Sequence, residues 1–410
     1  MPPRVLLLLP STTYQAGAFL EAARRLGADV TVGTDHASVF GFSQPDNLLA
    51  LDFRSVDNVT RRIMELATRN PVAAVFGVDD ETAVLAAAAA RALGLRHAEL
   101  EGCEAARDKF RQRTLLARAG LPAPAFALHR FDDDLAGAAA AQAYPCVLKP
   151  LHESMSRGVM RADDSDGFVR AAERLRGIVG ASGAQPEFLV EAFVPGVELA
   201  LEGCLEDGRL VVLALFDKPD PLDGPFFAET IYATPSTLPM ADQRRVTSCV
   251  ERAARAIGLT RGSVHAEVRL NDAGAWLIEL AARPIGGRCS AVLRFGPHGR
   301  VSLEEVLLEA ALKAWERGSA GAWERERLAA AVYMIPVPRA GTLLGVSGVD
   351  EAKRVARVED VVITAHVGQA LEPLPEGNRY LGFIYARAEH SETAVQAVRA
   401  AHAKLGFELA

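Results

Sequence analysis

The sequence predicts a multidomain chain of mixed α/β and α+β class, and three observations predict it. At 410 residues and ~100–200 residues per domain, the chain has room for more than one hydrophobic core. Its first hundred residues alternate apolar, strand-length runs with helix-length stretches, the rhythm of a parallel sheet covered by helices. From Glu198 onward apolar runs are joined by short turns instead, which marks antiparallel pairing.

The elements follow in order. Val5–Leu9 reads as a buried strand, and Ala16–Leu26 has helical spacing and stops at Gly27, a suitable residue just past a helix end. Asp29–Val32 is the second strand. Val56–Arg69 is helical, Val72–Val78 is a β-branched strand, and Ala83–Leu93 is a helix ending at Gly94. This is a Rossmann-like order, yet Pro10-Ser11-Thr12-Thr13 stands where a dinucleotide fold places its glycine-rich turn, so NAD binding is not expected. A charged helix over Glu104–Leu121 runs into Gly120-Leu121-Pro122-Ala123-Pro124, a domain boundary. Beyond it, Ala125–Leu128 and Cys146–Lys149 are strands flanking an Ala-rich helix, Phe168–Val179 is helical and Phe188–Glu191 is a strand. Leu199–Cys204 and Leu210–Phe216 pair across Glu206-Asp207-Gly208. Val264–Leu270 and Ala275–Leu280 pair across Asn271–Gly274. Helices at Asp242–Ile257 and Leu303–Trp315 complete that region. The last stretch, Ala330–Leu409, mixes short strands with a helix at Glu392–Leu405.

Composition removes several function classes. Half the residues are hydrophobic and 24% are charged, which excludes disorder as the main state. Lys plus Arg number 45 against 52 acids, a formal charge of -7, so no global attraction for nucleic acid is expected. The five cysteines lie scattered without a CxxC pair, which points to reduced thiols in the cytoplasm. The opening run Val5–Leu9 is too short for a signal peptide, and no apolar run reaches the ~20 residues that span a bilayer.

Three constellations carry chemistry. The first is a pair of lysines, Lys109 and Lys149, the latter ending an apolar strand where a charge must find a partner. Ser154-Met155-Ser156-Arg157-Gly158-Val159 follows it. Such a loop either brings backbone amides to phosphate oxygens or is an ordinary hairpin tip. The second is Glu191-Ala192-Phe193-Val194-Pro195-Gly196-Val197-Glu198, which is either an interdomain hinge or an aromatic wall beside hydroxyl-binding acids. The third is the sharpest. Period-2 alternation puts His265, Glu267 and Arg269 on one strand face and Glu279, Ala281 and Arg283 on one face of the next. The turn between them makes the strands partners, so Glu267 and Glu279 approach each other among apolar neighbours. Two carboxylates there are costly unless a cation lies between them. Two hard oxygens suit Mg2+ bound together with phosphate; the alternative is a half-exposed hairpin carrying surface charges. Arg283-Pro284-Ile285-Gly286-Gly287 adds a cation and close backbone approach at the same edge.

In this order the features resemble the ATP-grasp superfamily, from about residue 1 to 320. They look most like its L-amino-acid ligase branch, whose extra C-terminal domain the last 80 residues, with Pro373-Leu374-Pro375-Glu376-Gly377-Asn378-Arg379, resemble loosely. The resemblance implies an ATP-grasp fold in four parts. These are a Rossmann-like domain (1–107), a linker helix and lid (108–196), a central antiparallel domain with the metal site (197–328) and a small α+β domain (329–410). It implies ATP and Mg2+, or Mn2+, as cofactors. Lys109, Lys149 and, less closely, Lys218 would contact phosphates under the loop carrying Ser154, Ser156 and Gly158. Adenine would rest on Glu191, Phe193 and Val194, and the ribose on Glu198. Glu267 and Glu279 would hold the metal, with Arg283 facing the transferred phosphoryl group. His265, Gly286 and Gly287 would serve the substrates; Glu229, beside Phe226 and Phe227, and Arg294, just beyond Gly287, either join them or are structural. One departure stands out: Glu279-Leu280-Ala281-Ala282-Arg283 has alanine where many members place an asparagine ligand. The implied activity joins a small-molecule carboxylate to an amine through an acyl phosphate, releasing ADP, in a cytoplasmic enzyme that leaves room for a homodimer. A carboxylase of the biotin- or purine-pathway type and a nucleotide-binding module without chemistry are the alternatives.

Overall fold

The structure is a computed structural model and describes residues 2–36, 47–182, 186–296, 298–313 and 323–410. The expected α/β start is present. Strands β1 (Arg4–Leu8), β2 (Asp29–Thr34), β3 (Leu48–Ala50) and β4 (Ala74–Gly77) form a parallel sheet in the order β3-β2-β1-β4. Helices α1 (Ala16–Arg25), α2 (Val56–Ala67) and α3 (Asp80–Ala92) cover it. Ser55 and Asp79 accept hydrogen bonds from the first turns of α2 and α3, satisfying amides that a helix start leaves open. The alanines of α3 let it be buried all round. Leu85 and Ala89 face the parallel sheet, while Val84 and Ala87 join the core behind the central sheet.

The single charged helix expected over Glu104–Leu121 is two helices, α4 (Leu100–Arg107) and α5 (Lys109–Arg118). Asp108 is the break. Its backbone is extended and its carboxylate accepts from the N–H groups of Phe110 and Arg111, an aspartate acting as a cap where helical spacing alone predicts continuation. The consequence is functional, because the break puts Lys109 at the start of α5, where its N–H donates to Leu151 O at 3.3 Å.

Antiparallel pairing begins earlier than expected. Strands β5 (Phe126–Arg130), β6 (Cys146–Pro150), β7 (Met160–Ala162) and β8 (Glu187–Ala192) already form an antiparallel sheet in the order β5-β8-β6-β7. Helices α6 (Leu135–Ala141) and α7 (Ser165–Ser182) pack on it around Phe168, Leu175 and Phe188.

The central sheet has eight strands. Five come from β9 (Val197–Glu206), β10 (Arg209–Asp217), β11 (Ile231–Thr234), β12 (Gly262–Asn271) and β13 (Gly274–Ala281), with α8 (Met240–Ala256) packed behind them. A small ribbon of β14 (Arg294–Phe295) and β15 (Val301–Ser302) leads into α9 (Leu303–Leu312). The helix expected over Leu303–Trp315 is described to Leu312, and its end at residues 314–315 lies outside the described residues. The C-terminal stretch contributes β16 (Ala329–Pro336), β17 (Gly341–Ser347), α10 (Val349–Lys353), β18 (Val358–Ile363), β19 (Ala370–Leu371), β20 (Tyr380–Ala388), α11 (Ser391–His402) and β21 (Gly406–Leu409). Of these, β16, β20 and β18 extend the central sheet, giving the order β13-β12-β9-β10-β11-β16-β20-β18. The C-terminal part therefore shares its backbone ladder with the central part. Among the described residues no helix is long and apolar enough to cross a membrane.

Candidate active site

The β5–β8 sheet, the central sheet and the segment after β13 enclose one cleft, and most of the chemistry-bearing residues picked out in the sequence line it. The hairpin β12–β13 forms its floor. His265 pairs with Ala281 and Glu267 with Glu279 directly across the ladder. The register then shifts, so that Val268 opposes Leu277. This bulge turns Leu277 into the core, and Ile278 and Glu279, although adjacent, both face the cleft. Val264, Ala266 and Val268 point the other way, into the core on which α8 packs. Simple alternation thus places the acids correctly and misses the bulge.

Each acid of the pair has its own ammonium. Glu279 accepts from Lys109 Nζ at 3.2 Å, and Lys109 also donates to Glu153 O at 2.8 Å. Burial pushes the Glu279 carboxyl up, but Lys109, Arg283 and Lys149 outweigh it and hold it at about 2. Glu267 accepts from Lys218 Nζ at 3.0 Å. Lys218 also donates to Glu198 and Glu229, each at 2.8 Å, and lies 4.8 Å from the Tyr232 ring centre. Burial alone would lower its pKa, yet three carboxylates raise it. Lys218 thus sits beneath the cleft, in a carboxylate cage.

The two facing carboxylates offer hard oxygen donors. Among the described residues no cluster of three or more His, Cys, Asp or Glu side chains is arranged for a metal. This donor set fits a hard divalent cation that takes its remaining ligands from phosphate and water. Ala281, 1% exposed, also borders the cleft and adds no side-chain oxygen to the pair.

Lys149 ends β6 and donates to Glu191 on the neighbouring β8 at 2.6 Å. The other Glu191 oxygen accepts from Arg113 Nε at 2.6 Å, and Arg113 Nη2 donates to Ile278 O at 2.6 Å. Burial lowers the Lys149 amine to about 8, with Glu191 opposing that shift. Burial also acts to raise Glu191, but Arg113 and Lys149 together leave it below its ordinary value. Both Glu191 oxygens are therefore committed to cations, and Glu191 orients Lys149. Just past β8, the Phe193 ring centre lies 4.4 Å and 4.9 Å from the guanidinium carbons of Arg161 and Arg269. Arg269 Nε donates to Glu198 at 2.8 Å and its Nη1 to Val194 O at 2.7 Å.

The loop after Lys149 brings Ser154 and Ser156 to the cleft. Met155, Ser156 and Gly158 have φ of 55°, 56° and 74°, and a Cβ on Gly158 would lie 2.9 Å from Leu175 Cδ1. Gly158 is the one member of this group outside the cleft lining. Its N–H donates to Pro375 O at 2.9 Å, and Arg157 Nε donates to Glu376 O at 2.9 Å. Arg174 on α7 grips the Glu376 carboxylate. Pro375 and Glu376 thus tie the Pro373–Arg379 stretch to the loop after β6 and to α7.

At the other end of the cleft, Arg283 donates to Asp80 at the start of α3 at 3.0 Å. Burial would lower its pKa, but Asp80 raises it. Gly286 and Gly287 line the cleft, and a Cβ on Gly287 would meet Met334 Sδ at 2.5 Å. Glu229 also lines it and accepts from Tyr232 Oη at 2.5 Å. Arg294 is elsewhere: its guanidinium pairs with Glu359 at 3.1 Å and borders a different cavity. It is separated because the chain turns away at Arg288–Val292 before reaching it.

The sequence reading overlooked Asp80, Arg113, Glu202 and Tyr232. Glu202 is completely buried on β9; its Oε2 lies 3.6 Å from His265 Nδ1 and accepts from Ile285 N–H at 3.0 Å. Burial raises the Glu202 carboxyl well above the usual range and lowers the His265 imidazole to about 3. Glu202 therefore backs the floor hairpin from β9, and counting in twos from Glu198 would have found it. Asp80, Arg113 and Tyr232 carry no such local sign.

Comparison with known proteins places this geometry. Residues 20–97 match the ATP-grasp N-terminal domain, 142–292 the ATP-grasp domain and 333–410 the L-amino acid ligase C-terminal domain 2. An alanine–anticapsin ligase of Bacillus subtilis is 30% identical over 241 residues, covering 52% of this chain and 50% of that protein. A D-alanine–D-alanine ligase of Aromatoleum aromaticum is 31% identical over 182 residues, 44% of this chain and 57% of that protein. The chain thus spans about half the length of these curated relatives. The crystal structure of an L-amino acid ligase from Bacillus licheniformis superposes with a TM-score of 0.82 at 24% identity, over 100% of this chain and 99% of that one. The chain thus carries, in order, an ATP-grasp N-terminal domain, an ATP-grasp domain and the C-terminal domain 2 of L-amino acid ligases, and shares one fold with such a ligase along its whole length.

Proposed function

We propose that this chain is an ATP-dependent carboxylate–amine ligase that joins an amino acid to an amine or a second amino acid through an acyl phosphate, releasing ADP and phosphate. The observation that carries the reading is the convergence of Lys109, Lys149, Arg283 and the facing pair Glu267/Glu279 on one cleft. A bare binding site has no need of that much charge at the outer end of a triphosphate. The names of the ligases that match the chain point the same way.

In this reading Lys109 and Lys149 cradle the phosphates beneath the Ser154–Ser156 turn. Adenine lies against Phe193 and Val194, with Glu198 toward the ribose. Glu267 and Glu279 hold Mg2+, or Mn2+ at the same oxygens, which neutralises charge on the outer phosphates. Arg283, fixed by Asp80, faces the γ-phosphoryl group and then the carbonyl oxygen as the amine attacks. Residues 108–196 act as the lid, clasped through Glu376, and 197–328 carry the metal site. Glu229, His265, Gly286 and Gly287 border the acyl side. ATP use and five free thiols suit the cytoplasm.

The testing experiment uses amino-acid pairs, ATP and a substrate carboxylate labelled with 18O. Label is expected in the released phosphate, with ADP and an amide as the other products and no dependence on bicarbonate. AMP as the nucleotide product, or label retained wholly in the amide, would sink the mechanism. A second expectation concerns the metal. Two protein oxygens bind Mg2+ weakly by themselves, so calorimetry should find weak Mg2+ binding to the free protein and much tighter binding with ADP. A tight site without nucleotide contradicts the assignment.

A further inference from the structure

Behind the Gly286–Cys289 segment lies a second cavity of about 660 Å3. Tyr14, Arg25, Arg288, Arg300, Glu304 and Tyr385 contribute to its wall. Tyr14 and Arg288 form the partition from the first cleft. The Arg288 N–H donates to Tyr14 Oη at 3.4 Å, and that hydroxyl lies 3.7 Å from where a Cβ on Gly286 would stand.

Three charged groups in this wall have no oppositely charged side-chain partner among the described residues. Glu304 is 4% exposed, and among the described residues its carboxylate has no hydrogen-bond or ion-pair partner. A buried carboxylate is costly until a cation meets it. Arg288 lies 5.1 Å and 5.5 Å from the ring centres of Tyr14 and Phe383, and among the described residues no carboxylate lies within 4 Å of it or of Arg300. Their neighbours differ: Arg25 pairs with Glu21 and Glu305, and Arg294 with Glu359. Arg288 also has φ of 53°, a left-handed conformation that a branched-off, non-glycine residue keeps only where its surroundings hold it. Planar guanidinium groups match carboxylates in geometry as well as charge. The wall therefore complements one ammonium and two carboxylates.

We infer that this second cavity binds an α-amino acid with an acidic side chain, its ammonium on Glu304 and its carboxylates on Arg288 and Arg300. The site stands on the geometry; only the ligand's fate, as amine substrate or as effector, rests on the ligase reading. The test is titration of the full chain, without nucleotide, by L-glutamate, with glutarate and L-alanine as probes lacking the ammonium or the second carboxylate. L-Glutamate should bind more tightly than either. Glu304→Gln and Arg300→Ala should each weaken it about tenfold or more while ADP affinity stays unchanged. Because Glu304 is buried and its variant can misfold, the exposed Arg300 keeps the test decisive. Glutarate binding as tightly as L-glutamate, L-glutamate affinity indifferent to Arg300→Ala and Arg288→Gln, or no binding up to about 10 mM overturns the inference. With ATP present, carbon-labelled glutamate found in the amide marks it as substrate, and a changed rate of ADP release without incorporation marks it as effector; either upholds the site. Failure of the ligase reading shows separately, as absent ADP release with every amino-acid pair while L-glutamate still binds.

Discussion

Lys149→Ala is expected to lower ATP turnover by ~10²-fold or more, the loss of several kcal/mol of transition-state stabilisation. The lysine ends β6 with its amine in the cleft and is oriented by Glu191 at 2.6 Å, so its removal takes a fixed cation from the phosphates. A second readout separates this role from mere structural damage. Burial holds the amine at about 8 in the free protein, so at pH 9 it is mostly neutral, and a bound polyphosphate raises its pKa again. ADP binding at pH 9 should therefore take up about one proton in the wild type and far less in the variant, measured by calorimetry in buffers of different ionisation enthalpy. Near-wild-type ADP formation by a folded variant would remove Lys149 from the reaction.

Arg113→Met should produce the largest loss of stability, ~3–5 kcal/mol, since it breaks a buried ion pair and leaves the partner charge behind. Arg113 is 1% exposed, and no other guanidinium reaches Glu191 or Ile278 O among the described residues. After the change, Glu191 keeps Lys149 alone, and Ile278 O, beside the bulge that aims Glu279, loses its donor. Urea unfolding should show the loss, and adding Glu191→Gln should recover part of it, because the stranded charge is then gone. A midpoint within about 1 kcal/mol of wild type, converted through the m-value, would mean that Arg113 is not the keystone of this contact.

Both residues show what a sequence reveals and what it hides. Lys149 was legible because a charge at the end of an apolar strand is a local anomaly, and Glu267 and Glu279 because a strand–turn–strand pattern sets cross-strand partners within fifteen residues. Arg113 was hidden in a polar helix, Lys109–Arg118, where one arginine among several looks like solvated surface; only the packing of β13 and the lid against that helix buries it. Asp80 likewise opens a helix in the first domain, 203 residues from the arginine it fixes.

By itself, then, the sequence determined the alternating elements of the first domain, the floor hairpin with its paired acids and Lys149 of the cleft, since each follows from period, turn chemistry or a charge out of place over a short span. The tertiary structure decided the rest. It placed Lys218 among three carboxylates, committed Glu191 to two cations, joined β16, β20 and β18 to the central sheet and carried Arg294 to the second cavity. These depend on contacts between segments far apart in the chain, and for such contacts burial and charge compensation select the partner while no local pattern records the choice.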